Sequence, residues 1–196
     1  LRTATRLFAK RGFSGTSIQA IAEEVGIRKP SLLYHYSSKE LLRDAVLSDL
    51  VDRWHERLPG ILMAATTSGD QLDAILGAVA DFFVDDPNRA RLIWREAIDR
   101  PHLTRERMSE DFGPWLERLT DAIRRGQEAG YVRSELQPEA WLTQLIVLVI
   151  GTFAAADLAA AAFTRSGTDA AERQLSELIR TARHSLYIDP PSKDSQ

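Results

Sequence analysis

The residues best suited to recognising another molecule lie between positions 16 and 39. Arg28, Lys29 and Ser31 are close together and supply the guanidinium, ammonium and hydroxyl groups that hydrogen-bond to base edges in the DNA major groove. Aromatic and basic side chains follow, of the types that contact phosphates and fix a protein's register on a duplex. The candidate DNA-binding residues are Thr16, Ser17, Arg28, Lys29, Pro30, Ser31, Leu33, Tyr34, His35, Tyr36 and Lys39.

Two short helices are predicted to position these groups. Ile18, Ile21 and Val25 recur at helical spacing and form a one-sided apolar stripe that packs the first helix. Gly26 ends that helix, and Pro30 suits the first turn of the next one, where no backbone N–H is needed. In such a helix-turn-helix the second helix enters the major groove, with its N-terminal residues toward the bases.

Two capping boxes predict where helices begin. In this motif a Ser or Thr hydroxyl and a Gln or Glu side chain each satisfy a free backbone donor. Thr16 with Gln19 is expected to start the first short helix, and Ser37 with Glu40 a fourth, longer one. Gly12 is expected to end the helix that opens the chain.

Charge is distributed unevenly along the 196 residues. The net charge of −3 by itself argues against a nucleic-acid binder. Residues 1–47, however, hold eight Lys or Arg and four Asp or Glu, a net charge of +4, which leaves −7 for the remainder. This asymmetry favours the N-terminal part as the phosphate-facing end, although a charged stretch is more often a solvated face.

Three runs of sequence carry a family signature: L-F-A-K-R-G-F, T-S-I-x-x-I-A-x-x-V and G-I-R-K-P-S-L-L-Y-H-Y-S-S-K-E-L. Together they resemble the Tet-repressor (TetR) family of bacterial regulators over residues 1 to about 47. The resemblance implies a three-helix DNA-binding domain, a larger helical domain with a ligand pocket, and a homodimer built on the last two helices. Arg28 departs from the family's usual small capping residue, and Leu33 from a common aromatic one.

Several candidate DNA contacts have a structural alternative. Tyr36 is more often a core residue of so small a domain. Leu33 either touches a thymine methyl group or packs, and Ser17 either contacts a phosphate or only starts a helix. Without the motif, Lys39 is an ordinary surface lysine.

The rest of the chain predicts an all-α fold, because every long segment has helical spacing. About nine helices are expected, in a homeodomain-like helix-turn-helix domain over residues 1–46 and a ligand-binding and dimerisation domain over residues 47–196. Pro59-Gly60 is expected to interrupt or end the fourth helix, and Gly113-Pro114 to kink or break a later one. Gly126 and Gly130 are candidate helix stops.

A ligand pocket is expected between residues 50 and 160. The middle helices supply more large rings than a minimal helical core needs, and small-molecule pockets are apolar with a few placed polar groups. Each ring is also an ordinary core residue, and each polar group has a solvent-facing alternative. The candidate ligand-binding residues are Phe82, Phe83, Trp94, Arg95, Phe112, Trp115 and Asp157, with Glu96 as a further polar group.

A dimer interface is expected on the last two helices. The helix that opens at Pro138 is apolar on too many sides for its own domain to cover, and a final apolar stripe could pair with it across a two-fold axis. The alternative is that both helices are internal core. The expected interface residues are Leu145, Leu148, Val149, Thr152, Leu175, Leu178, Ile179 and Ala182.

Other classes of function are disfavoured. The chain has no cysteine, its four histidines are scattered without metal-ligand spacing, and no nucleotide-binding or metalloprotease motif occurs. No metal, cofactor or catalytic residue is therefore expected. The uncharged stretch 140–156 is better interpreted as a buried helix than as a membrane span, and a cytoplasmic location is expected.

The predicted function is a ligand-responsive transcriptional regulator. It is expected to repress, to bind a palindromic operator in double-stranded DNA as a homodimer, and to be released by an apolar or amphipathic small molecule. Two alternatives remain at this stage: a ligand-sensing helical module with little DNA binding, and a helical enzyme.

Overall fold

The computed structural model describes residues 1–67, 71–156, 161 and 170–188. The helices in this part of the chain are α1 (Arg2–Arg11), α2 (Ile18–Val25), α3 (Lys29–His35), α4 (Lys39–Thr67), α5 (Gln71–Val84), α6 (Asn88–Asp99), α7 (Pro101–Arg107), a π-helical turn (Met108–Phe112), α8 (Gly113–Glu128), α9 (Pro138–Ala154) and α10 (Ala170–Leu186). Since α7, the π-helical turn and α8 are continuous, the helices just named number nine. The expected all-α fold is confirmed, and the extended pairing within these ranges is one isolated bridge between Val132 and Tyr187.

The turn between α1 and α2 is closed by a buried hydroxyl. Thr16 donates to the carbonyl oxygens of Leu7, at 3.2 Å, and Gly12, at 2.8 Å. Ser17 is the N-cap of α2 instead, because its hydroxyl accepts from the backbone N–H of Ala20 at 3.0 Å. The predicted Thr16 capping box is therefore wrong: tertiary contacts occupy the Thr16 hydroxyl, and the neighbouring serine takes over the cap.

The start of α4 differs from the prediction in the same way. Ser38, and not Ser37, caps the helix, since its hydroxyl accepts from the backbone N–H of Leu41 at 3.1 Å. The expected interruption at residues 59–60 is also wrong, because α4 continues to Thr67. A proline inside a helix removes one backbone hydrogen bond, and here the cost is outweighed by the remaining bonds of a 29-residue helix that packs against α5.

Irregular backbone occurs around α8. The irregularity expected at Gly113-Pro114 lies just before these residues, as the π-helical turn. Gly126 does not stop α8, which continues to Glu128. A Cβ at Gly126 would lie 2.6 Å from the Cγ2 atom of Val132, so this glycine permits close approach of the following loop. Gly130, with φ of +82°, makes the turn that follows.

The hydrophobic core is continuous from end to end, and α4 runs through it. Leu42 and Val46 near the start of α4 are buried in a cluster that also contains Phe8 of α1. Leu50 and Trp54, further along, are buried in the larger helical part. The boundary expected after residue 46 therefore falls inside one helix. Within the part of the chain that the structure describes, no helix is long and apolar enough to span a membrane.

Candidate functional site

The α3 helix presents its polar side chains to solvent. Leu32 is buried and fixes the helix to the domain, whereas Arg28, Lys29, Pro30 and Ser31 are exposed. The exposed face belongs to a helix of seven residues and carries the cations of Arg28 and Lys29 at its N-terminal end. Arg28 is the N-cap but makes no side-chain cap bond, so its guanidinium group is not used to close the helix.

Two further candidates extend the same surface. Tyr34 is 88% exposed, the most exposed of the large hydrophobic side chains in the described part of the chain. His35 is exposed next to it, with the two ring centroids 5.5 Å apart. Leu33 is half-buried, and the half-buried Tyr36 packs against the core.

Three residues before and after α3 have structural roles. Thr16 is 1% exposed, so its side chain offers no surface to a phosphate. Ser17 is exposed, although its hydroxyl accepts the cap bond of α2. Lys39 donates to the carbonyl oxygens of Phe13, at 2.9 Å, and Thr16, at 3.0 Å, and its ammonium lies 4.2 Å from the centre of the Phe13 ring. Lys39 therefore ties α4 to the α1–α2 turn.

A cavity of about 270 Å³ lies inside the larger helical part. Helices α4, α5, α6, α8, α9 and α10 contribute to it, together with the π-helical turn and the loop after α8. None of the described side chains that line it is charged. The lining residues are Leu50, Trp54, Leu72, Ile75, Leu76, Val79, Phe82, Phe83, Ile93, Met108, Phe112, Trp115, Leu116, Leu119, Ala122, Ile123, Tyr131, Val132, Trp141, Leu142, Leu145, Ile146, Val149, Ile150, Leu186 and Tyr187.

Four of the expected ligand-binding rings line this cavity, namely Phe82, Phe83, Phe112 and Trp115. Trp94 does not, because it lies on the outer face of α6 and is 38% exposed. Asp157 lies outside the described residues. Sequence reasoning missed Trp54, which contacts three of the lining rings edge-on or tilted, at centroid distances of 5.4 to 6.2 Å.

Arg95 joins α6 to α1 and does not line the cavity. Its Nε atom donates to the carbonyl oxygen of Ala9 at 2.7 Å, and Nη2 donates to that of Lys10 at 3.2 Å. These carbonyls belong to the last turn of α1, where a helix leaves acceptors unpaired and favours a cation. Arg95 therefore caps α1 from the neighbouring helix, which corrects its expected role as a ligand contact.

Glu96 is buried beside Arg43 of α4. The nearest nitrogen and oxygen of the two side chains are 3.8 Å apart, and Arg43 also donates to Asp44 at 2.7 Å. Burial raises the pKa of the Glu96 carboxyl; nearby Asp99 adds to this, while Arg43 opposes it. The pair lines a second, polar cleft of about 470 Å³ between α4, α6 and α7, separate from the apolar cavity.

One face of α9 is exposed in the single subunit. Val147 and Leu148 are 45% and 44% exposed, and Ala140, Thr143 and Gln144 continue the face one and two turns earlier. Val147 and Leu148 are the large apolar residues of this face, whereas Thr143 and Gln144 are polar. Of the four interface residues expected on α9, Leu148 lies on this face.

Three of the eight expected interface residues face inward instead. Val149, Leu178 and Ala182 are buried in the subunit itself, so they have no surface to offer a second copy. The expected α10 stripe packs inward because α10 contacts α5 and α9 of its own chain. The remaining expected residues, Leu145, Thr152, Leu175 and Ile179, are half-buried.

Comparison with known proteins gives two family matches and several relatives. The model of bacterial regulatory proteins of the tetR family matches residues 1–46, and that of the tetracyclin repressor-like C-terminal domain matches residues 69–180. FasR, an HTH-type transcriptional activator of Mycolicibacterium smegmatis, is 30% identical over 123 residues, which cover 63% of this chain and 54% of FasR. The matched stretch is thus only about half of that relative.

Two solved structures share the fold. KstR2, an HTH-type transcriptional repressor of Mycobacterium tuberculosis, is 27% identical over 139 residues, or 69% of this chain and 68% of KstR2. Its structure superposes with a TM-score of 0.73 at 18% identity, covering 96% of this chain and 93% of that one. AibR in complex with isovaleryl coenzyme A and operator DNA gives 0.71 at 20% identity, covering 91% and 93%. Because the C-terminal model alone matches more than half of the sequence, the chain belongs to the tetR family of bacterial regulatory proteins.

Proposed function

We propose that this protein is a ligand-responsive transcriptional repressor that binds a palindromic operator as a homodimer. The observation that carries the proposal is the continuity of α4. This helix begins at Lys39, shortly after α3 ends at His35, and further along it lines the apolar cavity with Leu50 and Trp54. A single helix therefore links the two candidate sites.

The DNA-reading role is supported by the exposed groups of α3. Lys29 and Arg28 can reach guanine O6 and N7, and Ser31 either type of base. Tyr34 and His35 lie where they can contact the flanking phosphates. The relatives include a complex of AibR with operator DNA, which supports the same use of this fold.

Residues 1–46 are proposed to bind DNA, and residues 47–196 to bind the ligand and form the dimer. Dimerisation through α9 is supported by its exposed apolar face around Val147 and Leu148. The two α3 helices of such a dimer are expected ~34–36 Å apart, or a multiple of that distance, to fit successive major grooves. The expected location is the cytoplasm, and the proposal assigns no catalytic residue or cofactor.

The effector is proposed to act by a population shift. A molecule that fills the cavity contacts α4 through Trp54 and α6 through Ile93. Lys39 connects α4, and Arg95 connects α6, to the reading domain, which is the proposed DNA-binding part over residues 1–46. A ligand changes this equilibrium only if it binds the DNA-incompetent arrangement more tightly. Release follows when the two α3 helices no longer fit the grooves together.

The test is operator binding by a base-reading variant. Palindromes near the protein's own gene are footprinted, and the affinity of Lys29→Ala is measured on the protected site. The variant is expected to lose about 1–3 kcal/mol of binding free energy and to relax specificity at one position. Arg118→Ala is the matched control, because it removes an exposed cation from α8.

Two results would contradict the proposal. If Lys29→Ala binds as the wild type does, α3 is not the reading helix. If the wild type binds DNA only weakly and with strong salt dependence, without preference for any palindrome, the alternative of a ligand-sensing module with little specific DNA binding is favoured.

A further inference from the structure

Two hydrogen-bond donors on residues that line the cavity lack an acceptor among the described residues. The Nε1 atoms of Trp54 and Trp115 are both buried and make no hydrogen bond within this part of the chain. Both side chains line the cavity, with ring centroids 5.6 Å apart and ring planes at 80° to each other. An indole nitrogen only donates, and most buried donors in folded proteins are paired. Two neighbouring indoles with unpaired donors therefore indicate a ligand that supplies an acceptor.

A third tryptophan at the same cavity is different. Trp141 also lines it, but its Nε1 atom donates to the hydroxyl of Ser185 at 2.9 Å. Among the described residues, an acceptor is therefore present for the indole of Trp141 but not for those of Trp54 and Trp115.

The other lining residues restrict what can occupy the space. The described lining contains no Asp, Glu, Lys, Arg or His. A carboxylate or an ammonium group would therefore be buried without an opposite charge, at a large cost. An alcohol could accept from an indole N–H, but its own O–H would be a further donor that needs an acceptor. A neutral oxygen acceptor on an apolar body satisfies both the charge and the hydrogen-bond requirements.

We propose that the effector is a neutral, apolar molecule with a carbonyl or ester oxygen that accepts hydrogen bonds from Trp54 and Trp115. This inference rests on the proposed function, since it names the class of effector. Neither nitrogen presents accessible surface in this structure, so the bonds form when the indoles turn toward the ligand. Trp54 belongs to α4, and its movement is a direct route from ligand binding to the helix that carries the reading domain.

The experiment compares a ketone with its hydrocarbon. Binding of 1-tetralone and of tetralin to the full chain is measured by calorimetry, for the wild type and for Trp54→Phe and Trp115→Phe, which keep an aromatic ring but lose the donor. The ratio of ketone affinity to hydrocarbon affinity is expected to fall about 2- to 10-fold in each variant, the range of one net hydrogen bond. Because the ratio is taken within each protein, differences in folding and packing cancel.

Trp141→Phe is the matched control. Its N–H already has a partner, so the ratio is expected to stay at the wild-type value. If Trp54→Phe does not fold, Trp115→Phe decides, since Trp115 is only half-buried.

Two outcomes overturn the inference and distinguish it from the proposed function. If both compounds bind but the ratio is the same in all variants, the acceptor is not recognised by the indoles, and the cavity remains an effector site. If neither compound binds the wild type, the inference fails and the cavity loses its proposed role, while operator binding is judged by its own footprint.

Discussion

The contact between Arg95 and the end of α1 is expected to carry the signal from α6 to the reading domain. Arg95 donates two hydrogen bonds, to the carbonyl oxygens of Ala9 and Lys10. Its neighbour two positions earlier, Ile93, lines the cavity. The substitution Arg95→Ala removes both bonds and leaves the apolar packing of α1 against α6 in place.

The structural cost of this substitution is expected to be small. A net hydrogen bond is worth about 0.5–1.5 kcal/mol, more for a charged donor in a buried place. Arg95 is exposed, so water and salt screen both bonds and the loss is roughly 1–2 kcal/mol in total. The variant should therefore fold, with a lower midpoint in urea.

The effect of Arg95→Ala on ligand-induced release of the operator is expected to be larger than its effect on the free energy of unfolding. Operator affinity is measured by fluorescence anisotropy with and without a cavity ligand, and the ratio of the two affinities is compared between proteins. Coupling between two sites is typically about 1–3 kcal/mol, or 5- to 150-fold. Losing one of the two ties to the reading domain should reduce the wild-type ratio by about 3- to 10-fold.

A remote arginine provides the control. Arg124 is exposed on α8 and forms ion pairs with Asp121 and Glu139, and Arg124→Ala should leave the ratio unchanged. The reasoning is refuted if Arg95→Ala shows the expected shift in urea but releases the operator as fully as the wild type does.

Three further predictions concern packing, charge and assembly. Gly126→Ala should lower the free energy of unfolding by up to about 2 kcal/mol in a urea titration. Overpacking against Val132 costs about 1–3 kcal/mol, which exceeds the gain of about 1 kcal/mol in helix propensity. Gly77→Ala is the control and should stabilise the protein, because there is open space around its Cβ. Burial raises the pKa of Glu96, so stability present at low pH is lost as the pH rises through the folded-state pKa. The melting temperature of Glu96→Gln minus that of the wild type should therefore be larger at about pH 7 than at about pH 4. Equal differences at the two pH values would contradict this prediction. Leu148→Arg places a charge on the exposed α9 face. Light scattering should show a monomer for this variant, under conditions in which the wild type is expected to be a dimer.

The reading helix could be predicted from the sequence because its signals are local. The apolar stripe from Ile18 to Val25, the stop at Gly26 and the proline at position 30 all act within one or two helical turns. The cap of α2 lies one residue later than predicted for a non-local reason. Thr16 and Ser17 are both good caps, and the buried carbonyls of Leu7 and Gly12 decide which hydroxyl is free.

The cavity could be predicted only in part, because its shape depends on how helices rotate against one another. Phe82 and Trp115 line it, whereas Trp94 points outward. Trp54 could have been found, since it follows Leu50 by one helical turn in the apolar stripe of α4. Arg95 could not, because its partners lie more than eighty residues away, in α1.

This chain is proposed to read a palindrome with α3 and to release it when the cavity is filled. Footprinting of the operator, with the purified full chain alone and with increasing 1-tetralone, tests both parts in one measurement. We expect two protected half-sites separated by ~34–36 Å, or a multiple of that distance, and loss of protection as the ketone binds. Protection that persists when calorimetry shows the cavity to be saturated, or no protected palindrome at any concentration, would contradict the account.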